Sequence, residues 1–118
     1  MKAKEHFMEG LNCCEAIIAS SNDNLNTSIP ISIGSGMGGG MGVGLTCGAI
    51  TGGNMILGIL KGRNSLEENN QCKIQVMELM NSVLEKYGSV NCMELRAKGI
   101  DCNEIVEFID EYLKKVNI

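Results

Sequence analysis

From Lys4 to about Ser20, apolar side chains at Phe7, Leu11, Cys14 and Ile18 recur three or four residues apart, the spacing of one helix face. That period predicts a first amphipathic helix with Cys14 on its core stripe and Cys13 turned about 100° round to the flank beside Ile17. The polar run "SSNDNLNTSIP" ends it, and Pro30 blocks a return to helix before the glycine-rich "GSGMGGGMGVG", Gly34 to Gly44. "CGAITGGNMILGILKG" is apolar nearly all round, which predicts a buried central helix from Cys47 with Gly62 as its stop. Ser65 with Glu68 forms a capping-box pattern. It predicts the start of a third, long helix whose core stripe is Val76, Met77, Met80, Val83, Leu84 and Tyr87, up to Gly88. "NCMELRAKG" predicts a short helix capped by Asn91 and stopped by Gly99. Asp101 then caps a last helix with Ile105, Ile109, Tyr112 and Val116 on one stripe and two lysines in its final turn. No alternating stretch competes, so the pattern predicts an all-α fold: a compact orthogonal or up-down bundle of about five helices, with a Gly-rich loop before the central one.

The length of 118 residues and an apolar fraction of 44% fit a single domain, 1–118, with a real core. With no Trp, two Tyr and two Phe, that core rests on Ile, Leu, Val and Met. A net charge of −4, with Lys and Arg scattered, argues against a nucleic-acid surface. "MKAKEHFMEGLN" lacks the apolar run of a secretory signal, so the expected location is cytoplasmic. The charge-free stretch from Leu25 to Leu60 is broken by glycines, polar residues and Pro30, so no membrane insertion is expected. A formal GxGxxG at Gly34, Gly36 and Gly39 has neither the preceding strand nor the following helix of a dinucleotide site.

Six cysteines, Cys13, Cys14, Cys47, Cys72, Cys92 and Cys102, are many for a small chain in a reducing compartment, where thiols bind metals, do redox chemistry or fill cores as small hydrophobes. Three of them, Cys47, Cys92 and Cys102, fall in the first turn of a predicted helix, where free amides and the positive dipole end favour thiolate. Gly44, Gly48 and Gly52 recur every fourth residue and leave a bare face for a neighbouring helix or a cofactor.

The segments "EGLNCCEA", "TCGAITGGNMILGILKG", "YGSVNCMEL" and "DCNEIVEFI" resemble the successive blocks of the C_GCAxxG_C_C family of redox-active proteins. The resemblance covers most of the chain in order. It implies a helical domain with a redox role and places the four signature cysteines on Cys13, Cys47, Cys92 and Cys102. The glycine motif falls on Gly48, Ala49 and Gly52; Thr46 stands where the family label has a glycine, and Cys14 and Cys72 lie outside the signature. A similar four-cysteine domain accompanies haem modules in the split-Soret cytochromes, where it resembles an iron-sulfur site. The CxxCH haem attachment motif is absent here.

Three readings stay open. In the first, those four thiolates ligate an iron-sulfur cluster for electron transfer or redox sensing, Gly48 and Gly52 give clearance, and the amides of Gly42 to Gly44 donate to sulfur. In the second, the same cysteines form two cofactor-free thiol/disulfide pairs, with Cys47 as the attacking thiolate. In the third, they hold a structural zinc or are plain core cysteines. The redox partner protein is not named by the sequence, and a homodimer through the glycine-lined face stays open. His6 is expected to be an exposed bystander, although it could replace a ligand. The methionines are expected to be packing, with Met37 and Met41 in the glycine loop the two to watch. The acidic residues of 67–68 and 104–111 are expected on solvated faces.

Overall fold

The computed structural model describes residues 1–116. It contains six α-helices: α1 (Ala3–Met8), α2 (Cys13–Asn24), α3 (Gly48–Lys61), α4 (Cys72–Tyr87), α5 (Cys92–Ala97) and α6 (Cys102–Val116). A single 3₁₀ turn, Ile31–Gly34, crosses α2 on the way to the glycine loop. The fold is all-α; among the described residues the β-pairing is one isolated antiparallel bridge between Thr46 and Asn91.

The expected first helix is two helices. Gly10, at φ +122°, takes a backbone form that side-chain-bearing residues rarely adopt and breaks the chain after α1. Asn12 then restarts it: its side-chain oxygen accepts from the Glu15 amide at 2.8 Å, while Glu15 Oε1 accepts from the Asn12 amide at 2.9 Å. This reciprocal cap makes Cys13 the first residue of α2. Cys13 and Cys14 are both buried, so the flank expected for Cys13 is covered by the fold.

α3 is the central helix, packed against α2, α4 and α6. Its core side is built from Ala49, Ile50, Ile56 and Leu57, against Ile17 and Ile18 of α2, Leu79 and Val83 of α4, and Ile105 and Ile109 of α6. α4 begins at Cys72, seven residues after the Ser65 expected to open it, because residues 63–71 form only turns and bends and are exposed. Leu79 replaces two members of the expected α4 stripe, since Met77 and Leu84 face outward.

One acidic residue departs from the expected solvated face. Asp110 is buried, accepting from the Ser20 hydroxyl at 2.7 Å, the Ala3 amide at 3.2 Å and Lys114 at 3.1 Å. This carboxylate fastens α1 and α2 to α6. His6 is only partly exposed and lies 2.7 Å from Asp23 Oδ2, pairing α1 with α2. No helix among the described residues is long and apolar enough to cross a membrane.

Candidate thiol centre at four helix starts

All four signature cysteines stand at the start of a helix. Cys13, Cys92 and Cys102 are the first residues of α2, α5 and α6, and Cys47 is the residue preceding α3. The tertiary structure turns four distant sequence positions toward one another by three local devices.

The first device joins α3 to α5. The Cys47 amide donates to the Val90 carbonyl at 2.9 Å, and the Cys92 amide donates to the Leu45 carbonyl at 2.6 Å, on either side of the Thr46 to Asn91 bridge. The second seats α2 on α3 through missing side chains. A Cβ on Gly48 would lie 3.3 Å from Cys13 Cβ and 2.9 Å from the Met37 carbonyl, and one on Gly52 would lie 3.1–3.2 Å from Ile17 and Cys14. The bare glycine face of α3 is therefore filled by α2, and its clearance serves helix packing. The third is the short link between α5 and α6, where Gly99 at φ +78° ends α5 and Asp101 Oδ1 accepts from the Asn103 amide at 2.9 Å to cap α6.

The glycine loop makes room for α5. From Gly39 to Gly42 four consecutive residues, including Met41, have left-handed φ values near 60–80°. A Cβ on Gly40 would meet the Leu45 backbone and come within 3.0 Å of Cys92 Cβ, while one on Gly44 would meet Met93 at 2.9 Å. Gly42 has open space around it. Met41 itself points outward, and Met37 is partly buried against the core.

The thiols are shifted by burial first and by one another second. Burial pushes the Cys13 thiol up to about 12, helped by the charges of Cys47, Cys102 and Cys92 and by a side-chain contact with Cys102. Cys47 is also raised, first by burial; the amides of Ala49 and Ile50 pull the other way, and Cys92 and Cys102 add to the rise. Burial thus outweighs the helix-start effect that had marked Cys47 as the attacking thiolate. Cys14, raised to about 11 by burial and by neighbouring Glu15 and Cys47, is fully enclosed with its sulfur 3.9 Å from Met55 Sδ. Cys72 starts α4, away from this group, and all six cysteines are free thiols.

Arg96 is the residue that sequence reasoning missed. Cys92 first, then Cys102 and Cys13, hold its guanidinium more firmly protonated, and it stands one turn along α5 from Cys92. The signal was present in the four-residue step from Cys92, which puts both on one face of a helix. Beside them, a half-open cavity of about 350 Å³ lies between the glycine loop and α5.

The donor set contains four sulfurs, but no three His, Cys, Asp or Glu side chains among the described residues surround one point closely enough to hold a single metal ion. Zinc requires thiolates about 2.3 Å from one centre. The ligands of a cluster stand further apart, because each binds a different iron. The sequence model of a family described as "Putative redox-active protein (C_GCAxxG_C_C)" matches residues 11–116. No curated protein and no solved structure matches the chain.

Proposed function

Because this chain belongs to the C_GCAxxG_C_C family, we propose that it is a redox protein whose working site is the four-thiol centre, with Cys13, Cys47, Cys92 and Cys102 holding an iron-sulfur cluster. The observation that carries this reading is the placement of all four cysteines at helix starts, with Cys47 and Cys92 joined by backbone pairing and Cys13 packed on Gly48. Free amides at four helix starts, with Arg96 one turn along α5 from Cys92, favour a group with several negative charges, which a thiolate-ligated cluster is. When bound, the cluster supplies one-electron transfer. The chain's own part is to bury Cys13 and Cys47 from water and to place Arg96 as counter-charge on the open side.

The test is an absorption spectrum with iron and sulfide analysis on protein purified without oxygen. Wild type should be coloured and contain iron and sulfide, and Cys47→Ser should lose most of both. Cys72→Ser should retain them. A colourless wild type without iron after reconstitution would overturn the cluster.

One coupling favours a second reading: Cys102 is among the groups that raise the Cys13 thiol. The dithiol there would hold two electrons and two protons, given up to an oxidising partner as the two S–H bonds break and one S–S bond forms. Reversible loss of two titratable thiols in iron-free protein would establish it, and unchanged thiol counts would remove it. Stoichiometric zinc in place of iron would replace both readings with a structural site.

A further inference from the structure

The cavity beside Cys92 borders the thiol centre and is built like a small-molecule site. The glycine loop (Gly39 and residues 42–44) forms one wall, and α5 presents Cys92, Met93 and Arg96 on the other. Its volume of about 350 Å³ lies at the small end of ligand pockets, roughly 300–1,000 Å³. Val43 and Met93, both about two-thirds exposed, offer apolar surface at the mouth. Arg96 is the one charged residue of the lining. The chain carries 14 Asp and Glu against 10 Lys and Arg, so a carboxylate partner was readily available. None of the ion pairs among the described residues involves Arg96.

We propose that this cavity binds a small organic carboxylate, its charge on the Arg96 guanidinium and its apolar body between Val43 and Met93. A planar guanidinium matches a carboxylate edge to edge with two parallel hydrogen bonds, and one cation suits one negative charge better than a phosphate dianion. The absence of a side chain at Gly42, where nothing stands within 4 Å of a built Cβ, keeps the loop side open. The ligand would sit directly against Cys92. The site shares Cys92 and Arg96 with the thiol centre, while the loop wall and Met93 belong to the cavity alone.

Isothermal titration of the purified chain with benzoate and with benzamide, its neutral isostere, tests the site. Benzoate should saturate one site at least tenfold more tightly than benzamide and weaken as salt is raised. Arg96→Gln should abolish the preference, and Arg96→Lys should keep part of it. Val43→Glu, which puts a like charge at the exposed mouth of the cavity, should also abolish benzoate binding. Equal binding of the two probes, binding of neither, an unaltered preference in Arg96→Gln, or equally effective competition by inorganic phosphate would overturn the proposal. Calorimetry reads this site and absorption reads the cluster, so each can fail without the other.

Discussion

Cys47 and Cys92, 45 positions apart in the chain, are held side by side by backbone: each donates its amide across the same short antiparallel contact, to Val90 and to Leu45 respectively. Their proximity therefore requires no bond between sulfurs, and it depends on how closely the glycine loop can approach α5.

Gly40 sets that approach. It has φ +66°, and a side chain there would run into Leu45 backbone and Cys92. Gly40→Ala should destabilise the protein by about 2–4 kcal/mol, combining left-handed strain with overpacking, and should lower iron retention. Urea denaturation with iron analysis checks both. Loss of neither would mean that the loop does not position Cys92.

Two glycines of α3 should respond with opposite signs. Gly52→Ala gains about 1 kcal/mol of helix propensity but forces a methyl against Ile17 and Cys14, so a net loss of about 1–2 kcal/mol is expected. Gly58→Ala has nothing within 4 Å and should stabilise by about 0.5–1 kcal/mol. Denaturation midpoints of the two variants decide whether the bare face exists for α2.

The buried thiols make stability fall in alkali. Below pH 9.0, the ordinary thiol value, Cys13 is protonated in both folded and unfolded chains. Above it the unfolded chain ionises first, while folded Cys13 stays protonated to about 12 and Cys14 to about 11. The folded state then binds more protons, so stability present below pH 9.0 is lost as pH rises toward those values. In reduced, iron-free protein the urea midpoint should drop between pH 9 and 10.5, at roughly one proton's slope or more per unit. A Cys13→Ser, Cys14→Ala double variant should show a flatter decline.

Asp110 is the polar anchor of the amino-terminal helices. Asp110→Ala would leave the Ala3 amide and the Ser20 hydroxyl without their buried acceptor, a loss of about 2–3 kcal/mol. Asp110→Asn, which keeps one acceptor oxygen, should recover part of it. Faster amide exchange in α1 than in α3 would accompany the loss. Unchanged α1 protection in Asp110→Ala would show that packing alone holds that helix.

The all-α character, the central helix after the glycine loop, and the helix starts at Cys92 and Cys102 were legible because period, caps and stops are local signals. The start at Cys13 was hidden. Phe7, Leu11, Cys14 and Ile18 keep an unbroken helical period across the break at Gly10, and only the Asn12 to Glu15 cap signals a restart. Ser65 and Glu68 misplaced the start of α4 because a capping pattern directs a helix only where an apolar face follows at once, and residues 63–71 have nothing to bury.

The sequence by itself determined which residues can carry chemistry here: the thiols at helix starts, and glycines dense enough for backbone to come close. Their assignments were decided in three dimensions. Gly48 and Gly52 went to the packing of α2, and Gly40 and Gly44 to the seating of α5. Burial raised Cys47 despite its helix-start amides, and Arg96 came to line one cavity with Cys92. Propensity and capping act over a few neighbouring residues, whereas clearance, desolvation and charge pairing depend on which distant segments meet, and only the folded chain fixes that.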